Sequence, residues 1–534
     1  MRFLPVNLSA FMVELESLEQ TMALTDSLTE MPIYGIDEIT PAARTILIRY
    51  NPIKADVNDL VEKISIRDVS KLVGKASKLV TIPVHYIGED LPDVAAHLGI
   101  STAEVIRRHT ENEFQVAFSG FAPGFGYMVS KGANLNVPRR QSPRVRIPAG
   151  SVALAGEFSS VYPQASPGGW QLIGVTELLM WDINRPEPAL VQAGMRVNFV
   201  DAAKSQISYS LPEKAEIETK PEHSAADLTV LATGLQVLFQ DLGRIGQSAL
   251  GISESGGMDK SALRSANRIV GNKSDSAVLE ITQGGFKAQV HKDLIVAVTG
   301  APCAIEVITP ENQQYQVDTY QPIHLAKGDT IKLSRPSKGV RSYFAVRGGF
   351  NIEPILSSCS FDTLAQVGPT PITAGQKLTV NGYSSPLAVS LNEAPAFEYP
   401  AESDVVVLDV VLGPRTDWFT KQAVEQLTNQ LWQVTASSNR IGLRLFSEKP
   451  LEREQLQELP SEGTCIGAIQ VPANGQPVLF LNDHPLTGGY PVIGAVCEYH
   501  LGLAGQIPVN AKIRFNPLGE FKVLEGSHCA YENE

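Results

Sequence analysis

Residues 3–16 alternate apolar and polar side chains loosely and predict a strand, 18–28 read as a helix, and TILIRY at 45–50 reads as a second strand. Apolar residues recur at helical spacing over 56–66. Residues 1–80 therefore predict a small α/β unit. From Val80 the pattern changes to short β-rich runs, LVTIPVHYI, VRIPAGSVALAG and MRVNFV, separated by Gly and Pro. That is the pattern of a barrel or sandwich rather than of repeating βαβ units. Residues 201–228 mix Lys, Glu, Pro and Ser with few apolar groups and predict a solvated linker. TVLATGLQVLF then opens a second β-rich region that runs to about Asn516, and SHCAYENE reads as a frayed tail. No short-period repeat is visible. The expected fold is mainly β with an α/β N-terminal unit, divided as 1–80, 81–201, the linker 202–228, and 229–528.

Length supports that division, because 534 residues exceed what one core usually holds. Composition adds a globular character: 43% hydrophobic, 19% charged, with 43 Gly and 35 Pro. The formal net charge of −13 disfavours nucleic acid and anionic lipid as partners. Five cysteines, none in a CxxC pair, support neither a disulfide framework nor a cysteine zinc site. With no signal-peptide pattern in residues 1–16 and no long apolar run, a cytoplasmic protein is expected.

DVAAHLGISTAEVIR at 93–107 has the small residue, turn glycine and core apolar residue of a DNA-binding helix-turn-helix, in Ala95, Gly99 and Val105. Ser101 and Glu104 form a capping box there. The acidic chain carries no second basic stripe, so a helical hairpin packed on a barrel is the favoured reading. No P-loop, GxGxxG after a strand, HExxH or GxSxG is present.

Four clusters of glycine, proline and aromatic residues remain as candidate ligand loops: SGFAPGFGYM (119–128), SPGGWQLIG (166–174), SESGGMDKSALRSANRIVGN (253–272) and LTGGYPVIG (486–494), the last preceded by Asp483. Glycine admits close backbone approach and aromatic rings give flat walls. In the third cluster Asp259 can cap a helix whose Ala262, Ala266 and Ile269 share a face, ended by Gly271. Asp241 and Arg244 in QDLGR read equally well as a local ion pair and as substrate contacts. His109 lies four residues after Val105, a placement more usual for a packed histidine than for a base.

Together these clusters carry a resemblance. GFAPGF (120–125), VPRR (137–140), PRVRIPAGSVALAG (143–156) and YPQASPGGWQLIG (162–174) resemble the B component of 5-oxoprolinase, also called allophanate hydrolase subunit 1 and the kinase inhibitor Kip. GLQVLFQDLGRIGQ (234–247), the SGGMD-to-VGN segment (255–272), YFAVRGGF (343–350), GPRTDWF (413–419), SNRIGLRL (438–445), EGTCIGAIQVPANGQP (462–477) and TGGYP (487–491) resemble the C component, or allophanate hydrolase subunit 2. The chain looks like a fusion of the two.

The resemblance implies cyclophilin-like β-barrels in both halves, two such lobes in the second, and a composite site where the halves meet. It implies a component that activates 5-oxoproline by phosphorylation for ring opening to glutamate. ATP, with Mg2+, would be co-substrate, and the A component of 5-oxoprolinase, a LamB/YcsF-like protein, would complete hydrolysis. Related carboxyltransferases move a carboxyl group from biotin to urea, which is the alternative reading, but no biotin-carrier segment is present. Regulation of a histidine kinase, the role of the Kip pair, ranks third, and homo-oligomer formation is left open.

Phosphoryl transfer to an amide oxygen calls for cations and polar donors. The residues expected to supply them are Arg244 and Arg440 as anion contacts, Asp241, Asp259 and Asp483 as metal or orienting groups, and His109 for proton transfer. Phe121, Phe125, Tyr127, Trp170 and Tyr490 are expected walls, with Gly120, Pro123, Gly124, Pro167, Gly168, Gly169, Gly256, Gly257, Thr487, Gly488 and Gly489 as the backbone around a small lactam or amide. Family members commonly carry GSRST where this chain has SSCSFD (357–362), placing Cys359 at the usual arginine, and AVAGG where it has AVRGG, adding Arg347. Pro485–Leu486 replaces a Gln-Thr pair, and PVHYIG (83–88) stands for PVxYGG.

Overall fold

The computed structural model describes residues 1–70, 78–140, 142, 144–204, 226–382 and 387–525. Most of the expected linker, the tail and Cys529 lie outside the described residues.

The N-terminal unit is a four-stranded antiparallel sheet of Arg2–Asn7, Ala10–Glu14, Thr45–Tyr50 and Ile36–Pro41, in that order across the sheet. Helices Leu18–Glu30 and Val57–Ser65 cover one face. The strand expected over 3–16 is a hairpin instead: Asn7 Oδ1 accepts the Ser9 N–H at 3.0 Å and turns the chain. The alternation was loose because both faces are buried. Phe11, Val13, Ile46 and Ile48 meet the helices, whereas Leu4, Val6, Met12 and Leu47 pack against Ala495 of the second half.

A seven-stranded sheet follows, in the order Gln171–Val175, Ser151–Ala155, Phe158–Val161, Gly126–Val129, Phe114–Ser119, Arg196–Asp201, Leu79–Val84. The last two strands are parallel, and a bridge between His85 and Val175 all but closes the barrel. Helices Leu91–Leu98 and Thr102–Glu111 form the expected hairpin, turned at Gly99 with φ 68° and sealed on the barrel core by Val94, Ala95 and Val105. Ser101 caps the second helix by accepting the Glu104 N–H at 3.1 Å. Arg107 and Arg108 pair with Glu104 and Glu111 of their own helix, leaving no basic stripe for phosphate.

The second half has two lobes. The first packs a six-stranded sheet on a five-stranded one, with the core between them and helix Lys260–Val270 on the outer face of the five-stranded sheet. That helix has the expected limits: Asp259 accepts the Ala262 N–H, Gly271 ends it at φ 73°, and Ala262, Ala266 and Ile269 are buried together. The second lobe is a closed seven-stranded barrel of Val405–Leu412, Val492–Val496, Ala468–Gln470, Val478–Phe480, Gly442–Phe446, Trp432–Val434 and Lys512–Pro517.

Numbered along the chain, the strands of both seven-stranded barrels run 1-6-4-5-3-2-7, and in both the first and last strands are the parallel pair. The fifth-to-sixth-strand loops even share a sequence, GGWQLIG at 168–174 and GGYPVIG at 488–494. One fold is thus used twice, a long-range repeat that a search for short periods misses. Among the described residues no helix is long and apolar enough to cross a membrane.

Candidate active site at the junction of the two halves

In each barrel the loop between strands two and three and the loop between strands five and six form one mouth. In the first barrel these are 120–125 and 162–170, and in the second 435–441 and 481–491. The first mouth meets the second directly. A Cβ added at Gly120 would lie 2.5 Å from Thr487 Oγ1, so glycine is what lets the two loops touch. Gly124 N–H donates to Leu250 O at 3.1 Å, and a Cβ on Gly251 would fall 2.5 Å from the Ala122 carbonyl oxygen. Arg139 donates to Ser461 Oγ at 3.3 Å and pairs with Glu458 at 2.9 Å, while Gln164 donates to Leu364 O at 3.1 Å. Tyr127 Oη lies 3.4 Å from the same Ser461 hydroxyl.

The N-terminal sheet fastens the halves at a second place. Arg415 is held between Glu14 at 2.7 Å and Glu462, and Arg49 pairs with Glu254 at 3.1 Å. Ala43 N–H donates to Ser461 O at 3.1 Å.

Buried polar atoms without a hydrogen-bond partner among the described residues gather at the first mouth and its contacts: Ser119 Oγ, Arg140 Nε, Ser166 Oγ, Gln171 Oε1 and Thr487 Oγ1. Such groups are normally paired, so each of these five has room for a hydrogen bond to water or to a polar ligand. The expected walls are differently arranged. Phe125, Tyr127 and Trp170 are packed edge to face at 5.1–5.5 Å as a closed cluster behind the mouth. Phe121 is half-buried, at φ 65°, against Phe125. Tyr490 is 40% exposed, with Arg453 over its ring, and does not wall an enclosed space. Pro123 and Gly124 are buried in the loop, Gly169 O accepts the Arg140 N–H at 2.7 Å, and Pro167 is exposed. Gly168 packs on Tyr162, Gly488 on Gln470 and Gly489 on Arg139.

Behind the junction lies a buried charge network. Arg440 donates to Asp483 at 2.9 and 3.0 Å, to Glu280, and to Gly256 O at 2.8 Å. Asp483 also accepts from Ser255 Oγ, Thr363 N and Thr363 Oγ1 at 2.7–2.9 Å. Burial pushes the Asp483 carboxyl up, but Arg440 more than offsets this and holds it below the usual carboxylate range. Asp241 accepts from Ser358 Oγ, Cys359 N, Ser360 Oγ and Gly243 N at 2.6–2.8 Å, so it shapes the 358–360 loop and has little room for a metal. Its carbonyl accepts the Gly257 N–H at 2.9 Å. Asp259 joins through Tyr343, whose Oη accepts the Asp259 N–H and donates to Glu280.

Arg244 is 2% exposed, and its Nη2 donates to Ser360 O. Its Nε and Nη1, and the neighbouring Gln240 Oε1, have no partner among the described residues. Burial lowers its pKa despite Asp362, Asp241 and Asp483 nearby. The structure thus gathers Asp241, Arg244, Asp259, Arg440, Asp483, Gly256 and Gly257 in one region, at the back of the junction.

His109 lies elsewhere. It is fully buried inside the first barrel, stacked on Phe199 at 4.1 Å and bonded to Tyr86 Oη at 2.6 Å and Ser159 Oγ at 2.8 Å. Burial pushes it down to about 3, so it is a neutral core residue and not a proton carrier for substrate. His484 is the histidine that reaches the junction loop. It is 5% exposed, bonded to Pro485 O at 2.9 Å, and neutral because burial lowers its pKa. Its place beside Asp483 was the available sequence signal. Cys359 touches the network through its backbone, and burial, with Asp241, pushes its thiol up to about 11, which excludes a resting thiolate.

Sequence reading also missed Asp362. Its Oδ1 accepts the Leu364 and Ala365 N–H groups, its Oδ2 accepts Ser253 Oγ at 2.9 Å, and burial, then Asp483, push it up to about 7. The native state thus holds a proton that the unfolded chain releases near the ordinary value of about 4. Its stabilisation is full below that value and lost as pH rises through about 7. Asp362→Asn keeps the two backbone contacts to Oδ1, with its amide now donating to Ser253 Oγ, and should flatten the stability profile between those limits, making the variant the more stable protein at pH 8. Urea unfolding at pH 5 and pH 8 measures this, and an unchanged difference between the two pH values would count against it.

The family model described as carboxyltransferase domain, subdomain A and B, matches residues 250–517, and that described as subdomain C and D matches residues 1–191. The chain is 33% identical over 291 residues to the C component of 5-oxoprolinase from Escherichia coli strain K12, covering 54% of this chain and 90% of that protein. It is 38% identical over 192 residues to the B component of 5-oxoprolinase from Escherichia coli O157:H7, covering 35% of this chain and 87% of that protein. The crystal structure of TTHA0988 matches with a TM-score of 0.80 at 30% identity, covering 95% of this chain and 99% of that one.

Proposed function

Because the chain belongs to the carboxyltransferase-domain family and carries both parts of it, a B-like and a C-like half, in one polypeptide, we propose that it is the fused B-plus-C component of an ATP-dependent 5-oxoprolinase. The observation that carries this reading is the direct meeting of the two halves at Gly120 and Thr487, where unpartnered buried polar atoms gather.

A lactam has one strong acceptor and one N–H donor. The Ser119 and Thr487 hydroxyls and Gln171 Oε1 can satisfy both. The unpaired edge of Arg244 then answers the negative charge of a carboxylate or phosphoryl group. In the proposed step the lactam oxygen forms a bond to the γ-phosphorus of ATP as the bond to ADP breaks. The ring nitrogen takes up the positive charge and releases its proton. Two waters, added with the third component, complete the opening to glutamate and phosphate. That proton leaves to solvent, because burial keeps His484, like His109, a weak base. Among the described residues no group of three His, Cys, Asp or Glu side chains is gathered to hold a metal, and Asp241 and Asp483 are filled with donors. Magnesium therefore enters this proposal on the nucleotide's phosphates.

The test is to combine the full chain with the third component and measure glutamate released from 5-oxoproline with and without ATP. Release that ignores ATP, or its absence, defeats the reading. Thr487→Val keeps shape and removes the unpaired hydroxyl. It should leave the melting temperature within about a degree or two, since nothing is unpaired by it, and raise KM for the lactam roughly tenfold, the cost of one hydrogen bond of about 1.4 kcal/mol. The family description favours one second reading, carboxyl transfer to an amide. That reading predicts turnover that requires a biotinylated partner and is blocked by avidin.

A further inference from the structure

A cleft of about 530 Å3 lies between helix Lys260–Val270 of the first lobe and helix Glu498–Ala504 of the closed barrel. It shares the 253–272 segment with the junction, through Glu254, Met258, Lys260, Ser261 and Arg264, but none of the 119–128, 166–174 and 486–494 loops lines it, and its volume suits a ligand several times larger than a single lactam ring. From its lining residues we infer that the cleft holds the nucleoside triphosphate. This rests on the reading that turnover consumes ATP.

Phe397 and Tyr499 bring two aromatic rings to the cleft, Tyr499 56% exposed, and His500 lies beside Tyr499 with ring centroids 4.6 Å apart. Flat π-faces of this kind stack on a purine. On the other side stand Lys260, Ser261 and Arg264. Arg264 is exposed on its helix and makes no ion pair among the described residues, so its guanidinium is free for phosphate. Lys260 pairs with Glu254 at 2.7 Å, and that carboxylate is shared with Arg49 of the N-terminal sheet at 3.1 Å. Glu498, the second acid of the cleft, is turned to Ser9. Glu254 is thus paired with two cations, Glu498 is hydrogen-bonded by Ser9 and not ion-paired, and Arg264 is the cation of the cleft without an ion-pair partner among the described residues. Asn482 lines the cleft and Thr487 stands at the junction five residues on. The two places are therefore at most about 17 Å apart along the chain. The base would lie against the closed barrel and the phosphates against the first lobe, so the nucleotide would bridge the two lobes.

The test uses the full chain, alone and with the third component. Photolabelling with 8-azido-ATP should mark peptides carrying Phe397 or Tyr499, and unmodified ATP should suppress the label. Label confined to other peptides, or none that ATP suppresses, overturns the inference. Arg264→Glu, on an exposed helix position, should leave the melting temperature unchanged, raise KM for ATP at least tenfold, and leave KM for the lactam alone. An unchanged KM for ATP also overturns it. If the wild-type complex shows no ATP-dependent turnover, the functional proposal fails, and the photolabel still decides whether the cleft takes a nucleotide.

Discussion

Arg440→Ala is expected to destabilise the second half by about 3–5 kcal/mol, the usual result of removing one partner of a buried ion pair. Arg440 and both its carboxylate partners are almost fully buried, at 2% exposure or less. Glu280 would keep Arg341 at 3.5 Å, but Asp483 would lose the cation that holds its proton off. The variant should regain part of its loss as pH falls toward 5, because a buried carboxylate without a cation prefers its protonated form. The parent has the opposite tendency at this residue: with its folded pKa depressed, the stabilisation from Asp483 is present above the ordinary value and fades as pH falls. Denaturant midpoints at pH 5 and 7.5 separate the two. Arg440→Met combined with Asp483→Leu should recover stability without recovering turnover. A loss below about 1 kcal/mol in the single variant would mean that the network does not join the lobes.

The second large effect is expected at the seam. Gly251 has φ 81°, and its missing Cβ would meet the Ala122 carbonyl oxygen at 2.5 Å. A backbone oxygen cannot rotate aside, so Gly251→Ala must push the halves apart or distort a loop. Turnover of the reconstituted complex should fall at least tenfold, with about 1–3 kcal/mol of stability lost to strain and overpacking. Gly246→Ala is the matched control, since Gly246 has the same φ of 81° and nothing within 4 Å of its Cβ position. It carries the left-handed penalty alone, about 1–2 kcal/mol. Equal activities for the two variants would show that the contact with Ala122 does not matter.

Much of this was legible before the structure. Asp259, Gly271 and the apolar face between them define their helix locally, and local signals suffice for it. That 119–128 should approach 487–490 was legible only through the resemblance, and in the structure Gly120 and Thr487 touch. The misses share a cause. Periodicity puts His109 beside Val105 but cannot say whether that side meets a pocket or a sealed core. Arg440 finds Glu280 across 160 residues, and Ser253 finds Asp362 across 109, separations over which no sequence pattern operates. The cleft at Phe397 and Arg264 is likewise assembled from segments more than a hundred residues apart. The N-terminal hairpin looks like one strand in the sequence because a sheet buried on both sides loses the polar beat that marks its turn.

The twin barrels have one more consequence. Two residues before the third strand, the first barrel has Gly124 and the second has Arg440. In the later copy the guanidinium at that place ties the barrel to Glu280 and Gly256 of the first lobe, whereas in the earlier copy the glycine lets the loop backbone donate to Leu250 O across the seam. The same strand order thus carries an interior tie in one copy and an inter-half contact in the other.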